Sequence, residues 1–467
     1  MRLTGLLTRQ QVEQIHRNAL RVLAEVGVRV EHESLRRRLA SVGGAIDPSS
    51  DRVRFPADVT ERRIWDAPKT PISFDTPTVG LGCGVYQCMY LDPFTDELRP
   101  FDEPLLARYF GLAEHLSLDG WGVLGLPFIP KDIPASRLPL AEKLCAWKYG
   151  GSPGGEVHFT ALCEPLIEMF RIHADATGKP LQEVFCANGW LVSPLKLGRP
   201  ECEQLLYFAE RGLRMGIGHL PSQGGTAPVS FAGTITLTLA EQIFLFLLDS
   251  AVWGDAHFDI GSAVTTVDMR TGASLYGRPE RVRTNIAFAD IADFYGCSAG
   301  GHTGCTDAYM PSFEAGVQKA EGALITALAT GHAYIEAGLL GVDTICSPVQ
   351  MVLDHDLAGS LKALFPQALV DEQECAFDEI LAAGIGGNHL GAEFTVERFH
   401  TELFEPLTWA DRSLGAWRES GSRIDIDKAR DIIADFERDF RPESRISEEE
   451  ERALRSVIDW AAKSTNP

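Results

Sequence analysis

Three glycine-rich segments carry the polar side chains best placed for chemistry. The first is Gly300-Gly301-His302-Thr303-Gly304-Cys305-Thr306-Asp307-Ala308-Tyr309-Met310-Pro311. His302 offers an acid, a base or a hydrogen-bonding group. Asp307 precedes Pro311 near an expected helix start, where a carboxylate either caps the helix or holds the positive pole of a ligand. The second is Pro221-Ser222-Gln223-Gly224-Gly225-Thr226. Its paired glycines free the backbone to approach a ligand, or simply serve a strand-to-helix turn. It lacks the Lys-Ser/Thr of a phosphate loop and the Gly-x-Gly-x-x-Gly of a dinucleotide fold. The third, Gly384 to Thr395, exposes Asn388, His389 and Glu393, as a ligand loop or as a capped turn.

Two further patterns bear on ligand type. Cys297, His302 and Cys305 have a spacing that a metal could use, with His219 or Cys346 as a fourth ligand from elsewhere, but there is no Cys-x-x-Cys and no metal is expected. The ten cysteines read as buried small hydrophobes in a chain too large to need disulfide staples. Tyr86, Tyr90, Phe128, Trp190, Phe231, Tyr309 and Phe394 fall near expected loops. Rings of this kind form the core of most proteins, and as a cage they attract a quaternary ammonium by cation–π contact, about 0.5–2 kcal/mol per ring.

The elements that must position these loops follow from the apolar rhythm. Short apolar runs at Trp121–Phe128, Glu156–Thr160, Glu183–Val192, Met215–Leu220, His257–Val264, Gly296–Gly301 and Ala333–Leu340 alternate with helices such as Arg199–Met215, Thr238–Trp253, Glu280–Tyr295 and Pro311–Gly331. The repeat is about 35–40 residues, close to the ~30 of a bare βαβ unit. The glycine-rich loops follow the runs, at strand carboxyl ends. The expected fold class is therefore α/β, a (β/α)8 TIM barrel with its chemistry on that face; an open doubly wound sheet shares the pattern.

The barrel is expected over 101–420. Residues 1–100 read as an α+β prelude: a helix Thr8–Val26 capped by Thr8, a second near Glu33–Ala40, a strand Arg52–Phe55, a helix from Pro56, then strands at Pro71–Thr78 and Gly84–Tyr90. Residues 421–467 read as a helical extension, Asp427–Arg438 and Ser447–Lys463, with Ser447 and Glu450 spaced as a capping box.

Composition sets outer bounds. The 467 residues carry 65 acidic and 43 basic side chains, a net charge of −22. That balance argues against nucleic acid and against anionic lipid as partners. Met1–Gln11 has no signal-peptide run, and the longest apolar stretch, Ile243–Trp253, is broken by Asp249 and Ser250, so a cytoplasmic protein is expected.

Taken in order, several segments resemble the trimethylamine methyltransferase family. They are Ala19–Val28 with Arg52-Val53-Arg54-Phe55-Pro56; Gly224-Gly225-Thr226-Ala227-Pro228-Val229 with Ala232-Gly233 and Ala240-Glu241; Thr306-Asp307-Ala308 with Pro311, Ala315-Gly316 and Lys319-Ala320; and Asp411-Arg412, Trp417 and Gly421. The resemblance implies a TIM barrel and methyl transfer to a corrinoid, cob(I)alamin, carried by a cognate corrinoid protein. A homo-oligomer is also expected. Members with pyrrolysine handle trimethylamine; this chain has none and is similar to the branch that includes glycine betaine methyltransferases. The expected substrate is then a small quaternary amine of the betaine type.

A quaternary nitrogen already bears its charge and leaves as a neutral amine, so positioning and desolvation carry the catalysis. On this reading Asp307 and His302 are catalytic. Gln223, Gly224, Tyr309, Asn388, His389 and Glu393 bind substrate, with Asp307 or Glu393 holding the cation and His302, His389, Gln223 or Asn388 a betaine carboxylate. Two departures, Tyr309 where relatives often have Lys and Phe394-Thr395 where they have His-Thr, leave the substrate open. The alternatives are a zinc-dependent methyltransferase or hydrolase on the same barrel, and a non-catalytic quaternary-amine binder.

Overall fold

Eight parallel strands, each followed by helical chain, organise the molecule: β1 Thr78–Val85, β2 Gly120–Val123, β3 Ser152–Pro153, β4 Asn188–Leu191, β5 Gly216–His219, β6 Ile260–Ser262, β7 Ala299–Gly301 and β8 His332–Glu336. The structure is a computed structural model and describes residue 3 and residues 5–71, 76–366 and 369–464. The expected strand Pro71–Thr78 falls largely outside them.

The strands are neighbours in chain order. Parallel ladders join β1 to β2, β2 to β3, β4 to β5 and β6 to β7. A bridge between Glu156 and Asn188 links β3 to β4. Beyond β5 and β6 the chain pairs again, Ser222 and Gln223 against Thr265 and Thr266. Beyond β7 the Thr303 hydroxyl exchanges hydrogen bonds with the backbone of Tyr334 in β8. The last strand lies parallel to the first, from His332 opposite Thr78 to Glu336 opposite Gly82. This is a mixed α/β fold.

Seven of the eight strands lie in or beside the apolar runs. The eighth, β1, sits ahead of residue 100, where a small hairpin and a domain boundary were expected. Its sequence, Thr-Val-Gly-Leu-Gly-Cys-Gly-Val, alternates glycine with apolar residues. The glycines answer close packing: a Cβ at Gly82 would meet the Tyr334 hydroxyl at 2.0 Å and the Gly120 carbonyl at 2.6 Å.

Helices cover the strands for ordinary reasons. Thr8 caps Arg9–Arg21 in a reciprocal box with Gln11, and that helix runs on into a π-turn at Val22–Val26. Phe231–Val252 is long and apolar enough to cross a membrane by length and composition, although no apolar stretch in the sequence had that reach. Ile235, Leu239, Ile243, Phe244 and Leu247 are buried in the protein core, each worth about 1.5–3 kcal/mol of burial. Phe313–Thr330 is capped by Ser312, not by Asp307. At the far end, Ser447 accepts from the Glu450 N–H, while the Glu450 carboxylate turns to His173 at 2.8 Å.

One part of the expected barrel span stands apart from it. The helices Phe377–Ala383, Glu393–Glu402 and Leu414–Glu419 have no buried residue. They form an arm between Pro348–Lys362, which packs on β1, and Asp425–Asp439, which packs back on Pro348–Lys362.

Candidate active site

A cavity of about 380 Å³ lies where the eight strands end, and every strand contributes to its wall. Tyr86 and Gln87 follow β1, Leu124 and Gly125 follow β2, and Glu156 follows β3. Trp190 belongs to β4, Leu220 follows β5 and Ala263 follows β6. His302 and Cys305 follow β7; Glu336 ends β8, and Leu339, Val342 and Asp343 come after it. Tyr276 completes the wall. The ionisable lining is thus three carboxylates, one imidazole, one thiol and two phenols, without Lys or Arg.

Glu336 is the focus. The Tyr86 hydroxyl donates to its two carboxylate oxygens at 3.3 and 3.4 Å. His302 Nε2 stands 3.3 Å from Oε1. On the other side of the ring, Arg281 Nη2 donates to His302 Nδ1. A guanidinium has no acceptor, so Nδ1 must present its lone pair and the ring proton resides on Nε2, facing Glu336. The chain Arg281–His302–Glu336 therefore points its hydrogens toward the carboxylate and favours an ionised Glu336.

Behind this, Lys319 and Asp354 form a fully buried ion pair at 2.6 Å. Lys319 Nζ also donates to the Glu336 carbonyl at 2.8 Å, and Asp354 Oδ2 accepts from the Gly338 N–H at 2.9 Å. The turn that carries Glu336 is held from both ends.

Burial raises the Glu336 pKa, against the pull of Lys319, Tyr86 and Arg281. Burial also raises Asp343, and the neighbouring Glu336 charge adds to it. Two carboxylates short of counter-charge in a part-enclosed cavity create a place for a cation. Tyr276 and Cys305 are both pushed up to about 12 by burial, which keeps them neutral and rules the thiolate out as a nucleophile near neutral pH.

The rings are placed to help. Tyr86, Trp190 and Tyr276 wall the cavity. Tyr276 meets His302 edge-on at 5.9 Å and carries the Arg281 guanidinium 4.6 Å from its ring centre. Of the other rings named from the sequence, Tyr90 is buried in the core. Phe231 and Phe394 lie under Arg283 and Arg398.

Among the site residues expected from the sequence, His302 is at the wall and the rest are elsewhere. Asp307 Oδ1 accepts from the Tyr276 and Gly277 N–H groups at 2.6 and 3.0 Å, and Oδ2 lies 3.4 Å from Arg278. It anchors the loop that presents Tyr276, because its side chain points into that backbone and away from the cavity. Gln223 is buried, with its amide donating to the Val229 carbonyl. Gly224 takes a positive φ of 84° in the turn behind it. Tyr309 is 68% exposed, packed beside Gly341. Asn388, His389 and Glu393 sit on the exposed arm, where Asn388 Oδ1 closes a turn onto Leu390 N–H.

The candidate zinc ligands are also dispersed. Cys297 precedes β7, whereas His302 and Cys305 follow it, so they stand at opposite ends of the strand. Among the described residues, no three His, Cys, Asp or Glu side chains gather closely enough to hold a metal ion.

The residues that sequence reasoning passed over are Glu156, Tyr276, Glu336 and Asp343. Glu336 lies inside an apolar run, at the residue where β8 ends, and Glu156 opens one. The signal was there: a carboxylate at a strand's carboxyl end reads as functional, whether or not glycines surround it.

The site is an acidic, aromatic-walled cavity at the carboxyl ends of parallel strands. The family model for trimethylamine methyltransferase (MTTB) matches residues 130–465. This chain belongs to that family and is a methyltransferase. It is 24% identical over 457 residues to trimethylamine methyltransferase MttB1 of Methanosarcina acetivorans, covering 92% of this chain and 90% of that one. It is 27% identical over 428 residues to the glycine betaine methyltransferase of Desulfitobacterium hafniense, covering 88% and 87%. The crystal structure of the monomethylamine methyltransferase MtmB of Methanosarcina barkeri superposes with a TM-score of 0.41 at 11% identity, covering 98% of this chain and 93% of that one.

Proposed function

We propose that this chain takes a methyl group from a quaternary amine of the betaine type and passes it to a corrinoid carried by a partner protein. The observation that carries the reading is the wall of three carboxylates, Tyr86, Trp190 and Tyr276, with one imidazole and without Lys or Arg, at the strand carboxyl ends. Glu336 and Asp343 supply the counter-charge, and Tyr86, Trp190 and Tyr276 supply the cation–π surface. His302, fixed by Arg281, orients Glu336 and opposes the effect of burial on its charge. Relatedness to a glycine betaine methyltransferase supports the quaternary donor. The chain's 467 residues are all standard amino acids, and a pre-charged donor asks for no adduct former.

A corrinoid is far larger than a cavity of about 380 Å³, so this cavity suits the donor, with the corrinoid presented at its mouth. When present, the corrinoid supplies the cobalt nucleophile. This chain's part is to desolvate the ammonium, hold it between carboxylate and rings, and turn one N-methyl carbon toward the mouth. The leaving group is the tertiary amine, neutral on departure, so no proton has to move.

The neighbour order of the eight strands supports a TIM barrel running from Thr78 to Glu336, with the first 77 residues as the prelude and the arm outside it. The arm's exposed Phe377, Ile380, Leu381 and Leu390 support a homo-oligomer, because exposed apolar side chains mark a contact. The functional reading is tested by incubating the protein with a reduced corrinoid and a panel of quaternary and tertiary amines, then identifying the demethylated product by mass spectrometry. Loss of one methyl from a quaternary donor alone is expected. Demethylation confined to tertiary amines, or none, overturns it.

A further inference from the structure

Among the described residues two lysines are buried, Lys143 and Lys319, both without exposure to solvent. Taking an ammonium out of water is costly unless it is paired and its remaining hydrogens are used. The chain accepts that cost twice, and in the same manner. Lys319, on the helix Phe313–Thr330 ahead of β8, pairs with Asp354 and donates to the carbonyl of Glu336. Lys143, on the helix Leu138–Lys148 ahead of β3, pairs with Glu142 at 2.9 Å and donates to the carbonyl of Glu156 at 3.1 Å. In both cases the lysine comes from the helix before a strand. It grips the backbone of the glutamate that the strand delivers to the cavity wall.

The chain ahead of Glu156 is clamped as well. A Cβ at Gly154 would meet Glu142 Oε1 and the Val123 carbonyl, both at 2.8 Å, and one at Gly155 would run into the Asn188 side chain. The Gly155 carbonyl accepts from the Asn188 N–H at 2.6 Å. Only bare backbone passes between β2 and β4 here, so Glu156 emerges at a fixed place. Its Oε2 lies 2.7 Å from His158 Nε2, and its Oε1 accepts from no described residue. His158 is not part of the cavity wall, and its backbone takes a positive φ of 60°, a turn that a histidine adopts at some cost.

Glu156 and Glu336 are separated by three ladders, β8 to β1, β1 to β2 and β2 to β3. They therefore reach the cavity from different sides. An ammonium between them is attracted from both, which fixes its position as well as its affinity.

Resting on the methyl-transfer reading, we infer that Glu156 is a second cation-binding residue, the counterpart of Glu336 across the donor's ammonium, and that Lys143 is the positioning residue that holds it there. The rival role, an ion pair that serves only the His158 turn, would leave the donor untouched.

The test is calorimetric binding of choline and of its neutral isostere dimethylbutanol, in which carbon replaces the nitrogen. The two share size and shape, so the ratio of their dissociation constants reads the charge at the site, and a general loosening of the fold weakens both alike. Glu156→Gln keeps the size of the side chain and removes its charge. The Glu156 side chain is 36% exposed, so water screens part of its effect. The preference for choline should fall roughly 5- to 20-fold, with dimethylbutanol bound as in wild type. Glu156→Asp should restore part of the preference. Lys143→Met combined with Glu142→Gln removes the anchor without stranding a buried charge, and should lower the preference about threefold or more. Should that double variant not fold, Lys143→Gln reads the same ratio, because burial already favours the neutral form of Glu142. An undiminished preference in Glu156→Gln, or equal weakening of both probes, overturns the role of Glu156. A preference that the Lys143 variants leave untouched overturns that of Lys143. Corrinoid methylation by wild type separates these claims from the methyl-transfer reading. A preference that depends on Glu156 in a protein that methylates no corrinoid supports the second carboxylate and sinks that reading, and equal or absent binding of the two probes by wild type sinks both.

Discussion

The loop after β7 and the segment 384–395 look alike as sequence: paired glycines, a histidine, a carboxylate and an aromatic. In the fold they part company. The first follows a strand of the parallel set, and its His302 is gripped by Arg281 and aimed at Glu336. The second joins two helices of the arm, neither of which has a buried residue. Glycines and polar groups announce a turn; only attachment to a strand's carboxyl end makes the turn part of a wall. The polar groups of a site must also be held, and here the holding comes from buried pairs such as Lys319–Asp354 that no loop motif reveals.

That contrast is broken or sharpened by a graded set of substitutions, each read by kcat and KM for a quaternary donor. The largest effect belongs to Glu336→Gln, which removes the central counter-charge. A buried charge-assisted contact is worth about 1.5–3 kcal/mol, so kcat/KM should fall roughly 10- to 150-fold. The pH profile should change with it. The raised pKa of Glu336 and Asp343 means that donor affinity declines on acidification from above the ordinary carboxylate range near ~4. The variant should lose the upper part of that limb. The stability sign runs the other way. A carboxyl whose folded pKa is raised stabilises the fold only below its unfolded pKa and loses that contribution as pH rises through the folded value. Glu336→Gln should therefore melt no lower than wild type at pH 7.

Next comes His302→Ala, which unlinks Arg281 from Glu336; a loss of about tenfold in kcat/KM is expected, most of it in kcat. Trp190→Ala and Tyr276→Ala each remove one ring, about 0.5–2 kcal/mol, and should raise KM roughly 2- to 30-fold with kcat less affected. Asp307→Ala frees the Tyr276 and Gly277 N–H groups and loosens the loop. Its effect should resemble a weakened Tyr276→Ala in KM, and a total loss of turnover would restore Asp307 to the reacting centre. At the bottom of the scale, His389→Ala and Asn388→Ala on the arm should change kcat/KM by less than about twofold, as surface substitutions usually do. A large loss there would show that the arm closes on a site and would erase the contrast.

The fold was legible where the chain obeys simple periodicity. Runs such as Met215–Leu220 and Gly296–Gly301 contain strands, and Pro279–Tyr295 and Phe313–Thr330 sit within a residue or two of the expected helices. β1 was hidden because Gly80, Gly82 and Gly84 remove the side chains that alternation depends on; the first two make room for Tyr334, far along the chain, and the third for Leu124 and Tyr86. At the site, His302 was legible because it stands in a loop that looks like a site. Glu336 was not, because it falls in the middle of the apolar run Ala333–Leu340, and only the fold ends the strand there. Its role depends on Tyr86 and His302 arriving from β1 and β7. Asp307 misled for the complementary reason: a carboxylate near a helix start suits a cap or a ligand, and its backbone partners at Tyr276 and Gly277 come from another loop.

The most direct test of the central claim is a single-turnover comparison of wild type and Glu336→Gln, each mixed with a reduced corrinoid protein and a quaternary amine and followed by corrinoid absorbance. The account predicts one methyl transferred per donor consumed by wild type, the tertiary amine as the sole organic product, and a rate roughly 10- to 150-fold lower in the variant at subsaturating donor. Corrinoid methylation that proceeds undiminished in Glu336→Gln, or that no quaternary amine supports in wild type, would contradict it.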